Sequence, residues 1–112
     1  MNKDTLLAAL EAGSAQFTDV IEYIDTNFNF TPTAFRNGDT HNAANSNNGS
    51  CKIFAFALRE GLSEQATLQA FGDYYRIDVL QHPNGDDHAN IRNFMRSGWT
   101  GIAFEGEALT AK

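Results

Sequence analysis

Residues 51–59 read Cys-Lys-Ile-Phe-Ala-Phe-Ala-Leu-Arg. The run is apolar on nearly every side, and a helix of that kind belongs inside a protein rather than on its surface. Phe54, Phe56 and Leu58 also alternate as a strand would. Ala55 and Ala57 favour helix, and Gly61 is a natural helix stop. We therefore read a buried helix. It is entered from a polar, glycine-containing stretch, Asn47-Asn48-Gly49-Ser50. Cys51, the single cysteine, then falls in the first turn, where free backbone N–H groups and the helix dipole favour a thiolate.

At 112 residues the chain has the length of one domain and can bury a core without staples. Hydrophobic residues make up 42% and aromatics 12%, including nine Phe, which excludes disorder. A lone cysteine excludes a disulfide-stapled secreted fold. Eight basic against 14 acidic residues give a formal charge of −6. With the basic residues scattered, this disfavours nucleic acid and anionic membranes as partners, and we expect a monomer. No apolar run approaches the ~20 residues that span a bilayer. Met1-Asn2-Lys3-Asp4 opens a short amphipathic segment rather than a cleavable signal, so the expected location is cytoplasmic. Export through a non-cleaved N-terminus is compatible with this reading.

Leu6, Leu7 and Leu10 have helical spacing over 3–12, with Gly13 as the stop. Thr18 is expected to cap a helix over 19–28, whose stripe is Val20, Ile21, Ile24 and Phe28. Thr33 to Arg36 reads as a short strand, and Asn37-Gly38 as a hairpin turn. The polar return strand 39–42 would sit at an edge or fray. Residues 42–48 read as a solvated asparagine-rich loop. Ser63 caps a predicted helix from 64 to about 81, lined by Leu68, Phe71, Tyr75 and Val79. Asp87 is the expected cap of a helix over 88–97, with Ile91, Phe94 and Met95 inward. Residues 99–106 contain a strand expected to pair with 33–36. Residues 107–112 are expected to be a loose tail. The plan is α+β: about five helices with a small antiparallel sheet in a single domain. The expected core includes Ile21, Ile24, Phe54, Phe71, Tyr75, Ile91, Phe94 and Trp99.

Five ordered motifs carry a resemblance. They are Phe30 to Gly38, Asn47 to Ala57, Phe71-Gly72-Asp73-Tyr74-Tyr75-Arg76, His88 to Met95 and Gly101 to Gly106. Together they resemble the HopJ type III effector family over about residues 17–109. The resemblance implies a protein of the kind that plant-pathogenic bacteria inject into plant cells. It implies no reaction, cofactor or catalytic residue.

Chemistry alone nominates the sites. Cys51 with His88 would make a nucleophile and its base, with Asn48, Asp86 or Asp87 to orient the imidazole. The alternative is that Cys51 is a small buried hydrophobe; we expect the cysteine to be structural. His41, His82, Asp86, Asp87 and His88 offer metal ligands, but their spacing matches no compact zinc signature, and we expect no metal or other cofactor. Tyr74 and Arg76 could form a recognition surface. Arg36, Arg92 and Arg96 could gather around a carboxylate. The preferred function is a small binding or interaction protein, its partner an unknown protein or a small polar ligand. The alternative is a small cysteine-dependent hydrolase or transferase using Cys51 and His88.

Overall fold

A computed structural model describes residues 1–112. The elements in chain order are α1 (Lys3–Ala12), α2 (Phe17–Asn27), β1 (Phe28–Phe30), β2 (Phe35–Asn37), β3 (Thr40–Asn42), α3 (Asn48–Glu60) and α4 (Glu64–Gln69). A π-helical turn, Tyr74–Val79, follows, and then α5 (Ala89–Ser97), a 3₁₀ turn, Gly98–Gly101, β4 (Ile102–Phe104) and β5 (Leu109–Ala111). The architecture is α+β. No helix is long and apolar enough to cross a membrane.

The apolar run forms α3 and is the centre of the molecule. Cys51, Ile53, Phe54, Phe56 and Ala57 are all buried, and Gly61 ends the helix in the left-handed conformation. Phe54 is fully buried, with its ring centroid 5.1 Å from Phe94, 5.5 Å from Phe71, 5.9 Å from Phe35 and 6.4 Å from Trp99. One side chain thus joins α3 to α5, β2 and the segment after α4. Burying a Phe of this kind contributes about 1.5–3 kcal/mol. Ile24, Phe71, Tyr75, Ile91 and Phe94 are buried around it as expected, while Ile21 and Trp99 are only partly covered.

The strands form two small antiparallel sheets rather than one. β2 is central, flanked by β3 and β4, with Phe35 opposite both Asn42 and Phe104. The expected pairing of the 33–36 strand with the 99–106 segment is therefore present. The hairpin turn is Gly38-Asp39, one residue later than Asn37-Gly38, because Asn37 still pairs with Thr40. Only Gly38 of that turn has positive φ, +61°, the property required at the first central position of a II′ turn. β1 pairs with β5, Phe28 opposite Ala111 and Phe30 opposite Leu109. The tail is consequently not loose: Ala108 and Leu109 are buried, because that short apolar pair covers the α3 side of the core.

Three helix expectations need correction. α2 begins at Phe17, one residue before Thr18, and Phe28 leaves the helix to start β1. Ser63 does cap α4, accepting from the Ala66 N–H at 3.0 Å, but the helix stops at Gln69 instead of running to 81. The reason is Gly72. Its φ of +63° breaks the helical path, and a β-carbon there would lie 2.7 Å from the Phe17 backbone nitrogen. The glycine lets the N-terminus of α2 press against the chain, which resumes as the π-helical turn. Finally, α5 begins at Ala89 with His88, not Asp87, at the capping position. Its inner face is Asn90, Ile91, Asn93 and Phe94, whereas Met95 is exposed.

Candidate ligand-binding cleft

The β2–β3 hairpin, the loop after it and α5 meet through asparagines. Asn37 is fully buried, Asn42 is 2% exposed, and Asn90 and Asn93 are each 7% exposed. The Asn42 and Asn90 amides exchange hydrogen bonds: Asn42 Nδ2 donates to Asn90 Oδ1 at 3.1 Å, and Asn90 Nδ2 to Asn42 Oδ1 at 3.0 Å. Asn37 Nδ2 donates to the Asn90 carbonyl at 2.8 Å and to Asn90 Oδ1 at 3.1 Å. Asn47 Nδ2 donates to Asn42 Oδ1 at 2.7 Å. Asn93 Nδ2 donates to Thr40 Oγ1 at 2.8 Å and to the Asn37 carbonyl at 3.2 Å, while Arg96 donates to Asn93 Oδ1. Buried polar networks rigidify when satisfied and are costly when broken. Here the network fixes the capping residue of α3, Asn47, relative to the first turn of α5.

Those two helix starts line one cleft of about 410 Å³. Its polar side includes Asn42, Asn47, Gly49, Ser50 and Asn90, and its apolar side includes Phe17, Phe71, Tyr74, Ala89 and Ile91. Phe17 and Tyr74 pack edge to face, centroids 5.0 Å apart. Helices α1, α2 and α4 each carry an acid in the first turn, namely Asp4, Asp19 and Glu64. Helices α3 and α5 carry none, and neither capping side chain bonds the helix. The backbone N–H groups of Asn48, Gly49 and Ser50, and of Ala89, Asn90 and Ile91, have no partner within the protein. No Asp or Glu lines the cleft, in a chain of net charge −6. The polar side of the cleft is thus built from three asparagine amides and two helix starts, whose dipoles point their positive ends at it.

His88 stands on the wall of the cleft. Its backbone is left-handed, φ 51° and ψ 51°, which costs a non-glycine residue about 1–2 kcal/mol. Its ring centroid lies 5.1 Å from that of Tyr74, and its Nε2 is 3.0 Å from Asp78 Oδ2 and 3.8 Å from Asp87 Oδ2. Arg92 organises the same turn. It donates to Asp87 Oδ1 at 2.7 Å, to the Asp87 carbonyl at 2.7 Å, to the His82 carbonyl at 3.0 Å and to the Asp78 carbonyl at 3.3 Å. The Arg92 hydrogen bond holds the Asp87 carboxyl below the usual carboxylate range.

The HopJ type III effector protein family model matches residues 3–109, beginning about fourteen residues before the stretch over which the motifs carried the resemblance. The chain belongs to the HopJ family. A solved structure titled "Crystal structure of unknown function protein VPA0580" is similar to it at 54% identity and a TM-score of 0.96, over 100% of this chain and 95% of that one. No curated protein matches.

In this HopJ chain the residues nominated from sequence separate into several places. Cys51 is 2% exposed, and its thiol donates to the Thr33 carbonyl at 3.4 Å. Burial pushes that thiol up, against the opposing charge of Lys52. Gly49, Ser50 and His88 line the cleft, whereas Cys51 is not among its lining residues. The sulfur and the imidazole thus have different partners, Thr33 and Asp78. Asn48 Nδ2 turns to Asn45 Oδ1 at 3.4 Å, not to the histidine. Asp87 approaches His88, but Asp78 is nearer and orients the ring.

Tyr74 is on the cleft wall. Arg76 is anchored by Gln69 Oε1 at 2.8 Å, by the Ala15 carbonyl and by Asp73 at 3.7 Å, so it fastens the α1–α2 connection to the end of α4. Arg36 is exposed on β2, and Arg92 and Arg96 are engaged with Asp87 and Asn93. Arg92 and Arg96 line one surface pocket, and Arg36 is not among its lining residues. His41 pairs with Glu105 at 2.7 Å, and Asp86 is exposed. The residues that sequence reasoning missed are Asn42, Asn90, Asn93 and Asp78. A signal for two of them was present: Asn90 and Asn93 share the helical stripe of Ile91 and Phe94.

Proposed function

We propose that this HopJ-family chain is a binding protein for a small molecule that carries a carboxylate or phosphate and an apolar portion. One observation carries the reading. Of the five α-helices, α3 and α5 alone lack both a first-turn acid and a side-chain cap, and both open into the same acid-free cleft. Helix N-termini bind anions through free N–H groups and the dipole. Two of them, held in register by a buried amide network, form donors that need no rearrangement when the anion arrives. Phe17, Phe71 and Tyr74 supply an apolar wall for the rest of the ligand. The family description extends the expectation of type III secretion to this chain, and a translocation reporter fused to the full chain tests it.

Binding is tested by amide NMR. Inorganic phosphate and a series of small mono- and dicarboxylates are titrated into the ¹⁵N-labelled chain with chelator present. The expected result is saturable, joint movement of the Gly49, Ser50, Ala89 and Asn90 amide resonances. Shifts scattered over the surface, or none at millimolar ligand, would overturn the reading.

A further inference from the structure

The π-helical turn, the loop before α5 and the capping residue of α5 bring Asp78, Asp87 and His88 together. One ligand atom from each lies within 4.8 Å of the others. We propose that His88 Nε2, Asp78 Oδ2 and Asp87 Oδ2 bind a first-row divalent cation of the zinc type. The spacing is the first reason. A tetrahedral ion with bonds of about 2.0–2.2 Å holds its ligand atoms about 3.3 Å apart. The separations of 3.0 Å and 3.8 Å from His88 Nε2 bracket that value.

The surroundings are the second reason. Arg92 occupies Asp87 Oδ1 and leaves Oδ2 turned to the histidine. Metal-binding carboxylates are characteristically held in this way by a further hydrogen bond. Two carboxylates, one guanidinium and a neutral imidazole sum to one negative charge, which a dication overcompensates by one. Both carboxylates are partly solvent-exposed, so water can fill the remaining coordination positions. The imidazole nitrogen favours zinc, nickel or copper over magnesium and calcium. The spacing of histidines and acids along the chain did not reveal this set. Asp78 lies ten residues before His88, and the Arg92-fastened turn folds it back.

A simple ion pair between protonated His88 and Asp78 is the competing account, and Asp87 separates the two. The ion pair needs no Asp87, whereas the metal site does. Zinc chloride is titrated calorimetrically into the full, tag-free chain, and cobalt(II) absorption is recorded in parallel. We expect one zinc equivalent and visible cobalt bands of a four- or five-coordinate ion. Asp87→Asn, Asp78→Asn and His88→Gln should each weaken binding at least 10-fold, with melting confirming that each variant folds. His41→Ala, which alters the separate His41–Glu105 pair, should leave it unchanged. Absence of a saturable equivalent, wild-type affinity in Asp87→Asn, or loss in His41→Ala would each overturn the proposal. Because zinc is tested without anion and the anions with chelator, failure here leaves the cleft reading intact, and the reverse also holds.

Discussion

Ser50→Asp tests the cleft through two readouts that should move in opposite directions. Ser50 occupies the first turn of α3, lines the cleft and has no hydrogen bond from its own hydroxyl. A carboxylate there meets the unpaired N–H groups of Asn48 and Gly49 and the positive end of a 13-residue helix. Such a charge stabilises a helix terminus by about 0.3–1 kcal/mol. For a domain of this size that raises the melting temperature by about 1–5 °C. The same carboxylate should abolish phosphate and carboxylate binding, because it fills the donors and repels the ligand. The pH dependence has a definite sign. The helix terminus depresses the introduced carboxyl in the folded state, so its stabilisation is present above the unfolded value of about 4 and is lost as pH falls through the folded value. Salt should reduce it. Ser50→Asn, equal in shape and neutral, should show neither the charge-dependent gain nor its loss in acid. Thermal melts of both variants at several pH values, with the phosphate titration, make the test. A Ser50→Asp protein that still binds anions with wild-type shifts would refute the argument that these donors form the site.

Three further outcomes follow from the packing. Phe54→Ala should cost about 3–5 kcal/mol, since its fully buried ring touches four other aromatic residues and the hole cannot close; urea unfolding measures it. Gly72→Ala should lose about 1–2 kcal/mol from the left-handed backbone alone, with the approach to the Phe17 nitrogen adding to the loss, and equilibrium unfolding that shows no change would contradict the close contact. Arg92→Met should return the Asp87 carboxyl toward the ordinary range. The stability that the pair gives above pH ~4, lost in the wild type only as pH falls through the depressed folded value, should then disappear, as read by side-chain NMR and acid unfolding.

The central helix and its stop at Gly61 were legible in the sequence, because they rest on local causes: apolar residues on every face and a glycine able to take positive φ; its start lies three residues before the apolar run, at Asn48. The family was legible for a similar reason, as its motifs are contiguous strings. Where causes were long-range, the sequence was silent. The helix predicted over 64–81 has helical propensity and a continuous apolar stripe, yet it ends at Gln69 because a distant segment, Phe17, presses against Gly72. The tail looks polar and short, and it becomes a strand because β1 offers it an edge 80 residues away in sequence. Asn42 looked like part of a solvated loop and Asn37 like a turn residue, since nothing in their neighbours along the chain says that they will pair. Only packing the hairpin against α5 buried Asn37, Asn42, Asn90 and Asn93, whose amide nitrogens all find acceptors there, while Asn37 Oδ1 is left without a partner. The cleft exists for the same reason. Each helix could be placed along the chain to within a few residues of its start, but the convergence of the two starts, and the absence of any carboxylate from the cleft lining, were decided by the tertiary fold.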